Sequence, residues 1–163
     1  MSTNAVFEAL YISGATGSIE STSFLSEGEI HYTAGNLNYL RGKMPWAEGA
    51  SGFGIGEQVS FSSFPVNRSI HAIIISIGYV DYEKPYLYYY NSRPKILRIW
   101  YDQKSKYFDH DLIDSPDPQL INFQTEVTDF TLEILDIYEG TKWEDTCINF
   151  VLTVSGMKDY FTY

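Results

Sequence analysis

The sequence predicts an all-β protein of two packed sheets, with about eight strands and little helix. Three observations carry this. Apolar and β-branched residues alternate over short segments, the period of a strand with one buried face. No stretch sustains three turns of helical periodicity. Connections rich in Gly, Pro, Asp and Asn separate the alternating segments.

Taken in order, Ser18 to Phe24 is the first expected strand, and Gly35 to Arg41 is the one place for a short helix. The stretch WAEGASGFGIGEQVSF, from Trp46 to Phe61, then sets glycines at 52, 54 and 56. A dinucleotide loop needs G-x-G-x-x-G opening a helix, whose N-terminus holds the pyrophosphate. Here Glu57 stands where the third glycine belongs, no G-K-[ST] follows, and Gln58 to Phe61 alternates as a strand. The glycines therefore lead into a strand, with Gly56 expected in a backbone conformation closed to other residues. Ile70 to Tyr79 is more continuously apolar and suits a central strand covered on both sides. Ile96 to Tyr101, Lys106 to Leu112 and Gln119 to Phe123 follow. In Phe130 to Tyr138, Phe130, Leu132 and Ile134 share a face, and Ile137 joins them inside only if a bulge near Leu135 shifts the facing. Cys147 to Val154 closes the set, with Cys147, Asn149 and Val151 expected on one face and Ile148, Phe150 and Leu152 on the other.

At 163 residues the chain reads as one domain over 1–163, large enough to bury a core without staples. Eleven basic against 21 acidic residues give a net charge of −10, which argues against nucleic acid and anionic membrane as partners. The first residues lack a basic region and Glu8 interrupts their apolar run, so neither a signal peptide nor a membrane span is expected there. The compartment is left open: cytoplasmic is the expectation for the chain as written, secreted or surface-bound if a leader has been removed. Cys147 is the only cysteine, which excludes an intrachain disulfide and a cysteine zinc site. It reads as a strand residue rather than a nucleophile, because no base is supplied beside it. Aromatics make 17% of the chain, and its 14 tyrosines prefer places with one wet end, a hint of a binding surface.

Enzymatic chemistry has no anchor in the sequence. His31, His71 and His110 fall in different segments, with no metal-ligand spacing. His71 reads as a hydrogen-bonded strand-edge residue. YFDHDLID lacks the central Gly and closing Glu of a calcium loop, so its Asp109, Asp111 and Asp114 read as a solvated acidic strand. No G-x-S-x-G elbow is present.

A run of motifs then falls in a recognisable order: WAEG, GFGIGE, IGYVDYEKPYLYYYNSRPKILRI, Gln119 and LEILDIYEGTKWEDTCI. Over about Asn36 to Val154 this resembles the discoidin-like domain attached to bacterial NAD glycohydrolase toxins, a glycan-binding or translocation domain. More distantly it is similar to coagulation-factor type C and galactose-binding-like jelly rolls. The resemblance implies a jelly-roll β-sandwich, non-catalytic, that binds a glycan or glycoconjugate through loops at one end. Aromatic rings would stack on the sugar and polar groups would take its hydroxyls. The candidates are Trp46, Glu48, Tyr79, Tyr82, Asn91, Arg93 and Trp143. Asn91 and Arg93 also read as ties of their own loop, with Arg93 paired to Asp145, and Trp46 and Trp143 also read as lids of the core. No cofactor is implied. A structural calcium is in view for related sandwiches, but Asn149 and Phe150 stand where the family pattern carries Ser-Glu, and Ile77 stands where it carries Asn before Gly-Tyr. The sequence holds no NAD-cleaving domain, so glycohydrolase activity is not carried over. The alternative is a protein-interaction or assembly module on the same fold, using tyrosines such as Tyr86 to Tyr90.

Overall fold

The computed structural model describes residues 10–14, 17–38, 44–62 and 69–156. Its strands are β1 (Leu10–Gly14), β2 (Ile19–Ser21), β3 (Ser26–Glu27), β4 (Ile30–His31), β5 (Trp46–Ala47), β6 (Gln58–Ser62), β7 (Ile70–Ile77), β8 (Arg93–Tyr101), β9 (Lys106–Asp111), β10 (Gln119–Val127), β11 (Asp129–Tyr138) and β12 (Cys147–Gly156). One sheet runs β1-β12-β7-β10, with β5 added to β12; the other runs β2-β6-β11-β8-β9, and β3-β4 is a small hairpin. All strand-to-strand pairings in these sheets are antiparallel. All eight expected strands are present, and the two-sheet β-sandwich is the architecture.

The core lies between the sheets, as period-two burial requires. Ile73, Ile75, Ile77, Ile121 and Val151 from one side meet Val59, Leu97, Ile99, Leu132 and Ile134 from the other. Each such side chain contributes roughly 1.5–3 kcal/mol when fully buried. Phe61 and Phe130 are register partners with rings stacked at 4.6 Å, so pairing and packing select the same alignment of β6 on β11.

The sheet irregularities have identifiable sources. On β11 the register against β8 passes from Ile134–Leu97 to Asp136–Ile96, leaving Leu135 as the extra residue, and Ile137 packs on the core as expected. The even alternation expected along β12 does not hold. Asn149 is an extra residue opposite β7, so Ile148 and Val151 both enter the core. β7 is central, between β12 and β10, and on its outer face the Ser76 hydroxyl donates to the Pro116 carbonyl, 2.9 Å away, beneath the 113–118 loop. The short helix expected from Gly35 appears as a 3-10 turn, Ala34–Leu37, and residues 39–43 lie outside the described residues. A one-turn helix not expected from the sequence, α1 (Leu87–Tyr90), sits in the β7–β8 connection. The connections after β5, β7 and β11 gather at one end of the sandwich, where Thr146 bonds to Glu48 and Ser92 to Asp145.

Candidate functional site

The loop end is built on a buried carboxylate. Glu48 is wholly buried; its Oε2 accepts from the Ala50 amide at 2.8 Å and its Oε1 from the Thr146 amide at 3.3 Å. Burial pushes this carboxyl up, against the two amide bonds that hold it down. One glycine of the run packs against it. Gly54 has φ +72°, and a Cβ there would stand 2.5 Å from Glu48 Cδ. Gly56, with φ +90°, adopts the conformation expected of it. Trp46 is also wholly buried, with Nε1 donating to the Ser23 carbonyl at 3.0 Å. Neither Trp46 nor Glu48 offers surface to a ligand; both hold the floor on which the loops rest.

Arg93 fastens the second loop. Its Nε and Nη2 grip the Asp114 carboxylate at 2.7 and 2.8 Å, while Nη1 donates to the carbonyls of Asn91 and Tyr88 at 3.0 and 3.2 Å. The guanidinium lies 4.7 Å from the Tyr88 ring centroid. The partner is thus Asp114 and not Asp145, because the bidentate fork from the start of β8 meets the loop that follows β9. This also corrects the reading of Asp114 as part of a solvated acidic strand: Arg93 holds its carboxyl below the usual range. Asp109, on β9, is likewise gripped by Arg98 at 2.8 Å.

Between these two fastened loops lies a cavity of about 220 Å³. Leu25, Ala47, Leu87 and Cys147 give it apolar walls, the rings of Tyr32, Tyr79 and Trp143 line it, and Glu27, Asn91 and Asp145 supply its polar groups. The Tyr32 and Tyr79 rings meet edge to face at 6.0 Å. Burial and neighbouring charge push both phenols above their usual value, so both stay protonated donors. Trp143 is 38% exposed, and Lys142 Nζ lies 4.5 Å from its ring centroid. Burial, then the charge of Glu27, raises the Asp145 carboxyl. The Cys147 thiol is buried and pushed well up, which suits a wall and not a nucleophile.

Of the seven sequence candidates, the cavity brings together Tyr79, Asn91 and Trp143. Tyr82 stands outside it, 94% exposed, and Trp46, Glu48 and Arg93 lie beneath. The lining residues that sequence reasoning missed are Leu25, Glu27, Tyr32, Ala47, Leu87, Asp145 and Cys147. Ala47, Leu87, Asp145 and Cys147 stand in the motif runs quoted above, whereas Leu25, Glu27 and Tyr32 carried no signal. Leu25 to Tyr32 is a hairpin whose neighbours are distant in sequence, held by the Leu25 amide on the Ala47 carbonyl at 2.9 Å.

The residues at this end match a known pattern. The family model for the NAD glycohydrolase translocation F5/8 type C domain matches residues 10–153. The chain belongs to this family. The match to the translocation-domain family begins ahead of the Asn36 boundary expected from sequence, at β1. No curated protein matches the chain. Among solved structures, the family 32 carbohydrate-binding module of C. perfringens NanJ, in complex with galactose, has a TM-score of 0.58 at 10% identity, covering 88% of this chain and 99% of that one. A truncated AlyQ with CBM32 and alginate lyase domains gives 0.59 at 10%, covering 93% and 35%. The CBM32 of AlyQ in complex with 4,5-unsaturated mannuronic acid gives 0.51 at 11%, covering 83% and 92%. The fold is that of carbohydrate-binding modules, and the domain resembles binding and translocation modules rather than a catalytic domain.

Residues of the motif runs tie these loops together. The Ser92 hydroxyl accepts from the Gly140 amide at 2.9 Å and reaches the Trp143 carbonyl at 3.3 Å. Thr146 Oγ1 donates to the Phe53 carbonyl at 2.7 Å, joining the glycine loop to the start of β12. A Cβ on Gly140 would stand 2.5 Å from backbone atoms of Tyr90, Asn91 and Trp143. The late position tied to a structural calcium in related sandwiches holds no carboxylate. Beside it the Asn149 amide donates to Ser76 Oγ at 3.0 Å, and no three His, Cys, Asp or Glu side chains converge among the described residues.

Proposed function

We propose that this translocation-type domain is a non-catalytic glycan-binding module whose site is the cavity between the 22–33, 78–92 and 139–146 loops. The observation that carries the reading is the composition of that cavity. The Trp143 and Tyr79 rings line it for the apolar side of a sugar, with Lys142 Nζ 4.5 Å from the Trp143 ring centroid, beside Asn91, Glu27 and Asp145 to take its hydroxyls. Trp46, Glu48 and Arg93 act beneath it, by holding the loops. Tyr82, 94% exposed on the loop that carries Tyr79 and Asn91, serves a second sugar unit. The sugar complexes of structurally similar modules support the reading at the level of the fold.

The test is titration of sugars into the folded protein at high concentration, because single-site sugar binding is worth about −4 to −8 kcal/mol. Saturable binding that falls at least about tenfold in Trp143→Ala, with the melting curve unchanged, is expected; a tenfold loss corresponds to ~1.4 kcal/mol of lost stacking. Absence of binding across a broad glycan panel sinks the reading. A protein-interaction role would then take its place, favoured by the exposure of Tyr82, Tyr86 and Tyr89 at 94%, 49% and 59% on the same loop.

A further inference from the structure

We propose that the preferred ligand of this cavity is a cationic sugar, one carrying a free ammonium group. The inference rests on the glycan-binding reading and names the class of sugar.

The charged part of the lining is acidic, and the Tyr32 hydroxyl, one of its donors, is turned to Glu27 Oε2 at 3.4 Å. Glu27 and Asp145 are its charged residues, and no Lys, Arg or His lines the cavity. Asn91 adds a third acceptor. It is only 6% exposed, and its Nδ2 donates to the Leu87 carbonyl at 2.9 Å. That bond fixes the amide's orientation, since the reverse would set oxygen against oxygen. Among the described residues no protein donor is bonded to its Oδ1, so this carbonyl on a cavity-lining residue is open to a donor from a ligand. Glu27 and Asp145 also repel one another: the charge on Glu27 is among the causes that raise the Asp145 carboxyl.

An ammonium group matches this lining on each count. It brings three donors and no acceptor. Its charge relieves the repulsion between the two carboxylates, and the tyrosine and tryptophan rings around it favour a cation over a neutral group of the same size. N-acetylation removes the charge and leaves one donor in place of three. The net charge of −10 attracts such a ligand from a distance.

The experiment is calorimetric titration of the whole chain with glucosamine, N-acetylglucosamine, galactose and methylammonium, repeated on Glu27→Gln and Asp145→Asn. Melting curves would confirm that both variants are folded. Glucosamine is expected to bind about tenfold more tightly than N-acetylglucosamine, with the margin shrinking in both variants and at high salt. Equal affinity for the two, or preference for the neutral sugar, overturns the ammonium inference while the glycan-binding reading survives. Methylammonium binding as tightly as glucosamine overturns the sugar part and leaves a simple cation site. If nothing binds, both readings fall together.

Discussion

An added methyl at Gly54 would collide with the Glu48 carboxylate on a backbone of φ +72°, so Gly54→Ala combines left-handed strain with displacement of a buried charge. We expect a loss of about 2–4 kcal/mol in chemical denaturation. The same change at Gly52, where a Cβ meets nothing within 4 Å, should cost only the backbone term, about 1 kcal/mol. Arg93 and Asp114 set the acid limb of stability. Arg93's hydrogen bonds hold the folded Asp114 carboxyl below its unfolded value, so the pair's contribution is complete above that unfolded value and is lost as pH falls through the folded pKa. Asp114→Asn should therefore cost about 2–3 kcal/mol at neutral pH, below the value for a fully buried pair because Asp114 is 34% exposed. Its deficit against wild type should narrow as pH falls below about 4. A deficit constant over that range would show that the pair acts through shape and not charge. Glu48 has the opposite sign: its raised carboxyl removes stability as pH rises from the unfolded value through the folded one. At this scale the sequence disclosed which residues matter but not which way they face. Trp46, Glu48 and Arg93 stand in recognisable motifs, yet a motif residue that ties a loop and one that touches a ligand look the same until burial separates them.

Among the elements, strands with one buried face were legible because period two is written directly in the chain; the Leu135 bulge was legible for the same reason, since Ile137 had to turn inward. The Asn149 bulge was not, because Cys147 to Leu152 is apolar on both faces and either register reads as an alternation. β3 and β4 are two residues each, too short for any period to register, and they bring Glu27 to the cavity. Helix α1 was hidden because a single turn of Leu-Tyr-Tyr-Tyr has no stripe; its last carbonyls are satisfied by tertiary partners, such as the Thr141 amide on the Tyr89 carbonyl at 2.9 Å. The loops at this end are thus held by one another. Ser92 is the shared point, fully buried, bonded through its side chain to Gly140 and Trp143 and through its backbone to Asp145 and Cys147. Ser92→Ala removes the side-chain bonds alone and should cost about 1–2 kcal/mol. Amide exchange at Gly140 should quicken while the β11–β8 ladder stays protected. Uniform loss of protection across the sandwich would mean that the loop end is not a separable unit.

For the whole molecule, a net charge of −10 on 163 residues works in two directions. Self-repulsion weakens the compact state, so salt should raise the melting temperature by a few degrees as screening sets in, with a Debye length of about 10 Å at 0.1 M. The same salt should weaken a cationic sugar at the carboxylate-lined cavity, so the two effects separate in one experiment. A ligand that binds only the folded state at ten times its Kd stabilises by about 1.4 kcal/mol, which for a domain of this size is a shift of roughly 3–6 °C. At low salt, glucosamine should produce that shift and galactose a smaller one. At high salt the starting melting temperature should be higher, yet the increment from glucosamine should shrink toward that of the neutral sugar. Equal increments at both salt concentrations would mean that the sugar is held by rings and neutral hydrogen bonds, with Glu27 and Asp145 contributing as acceptors and not as charges.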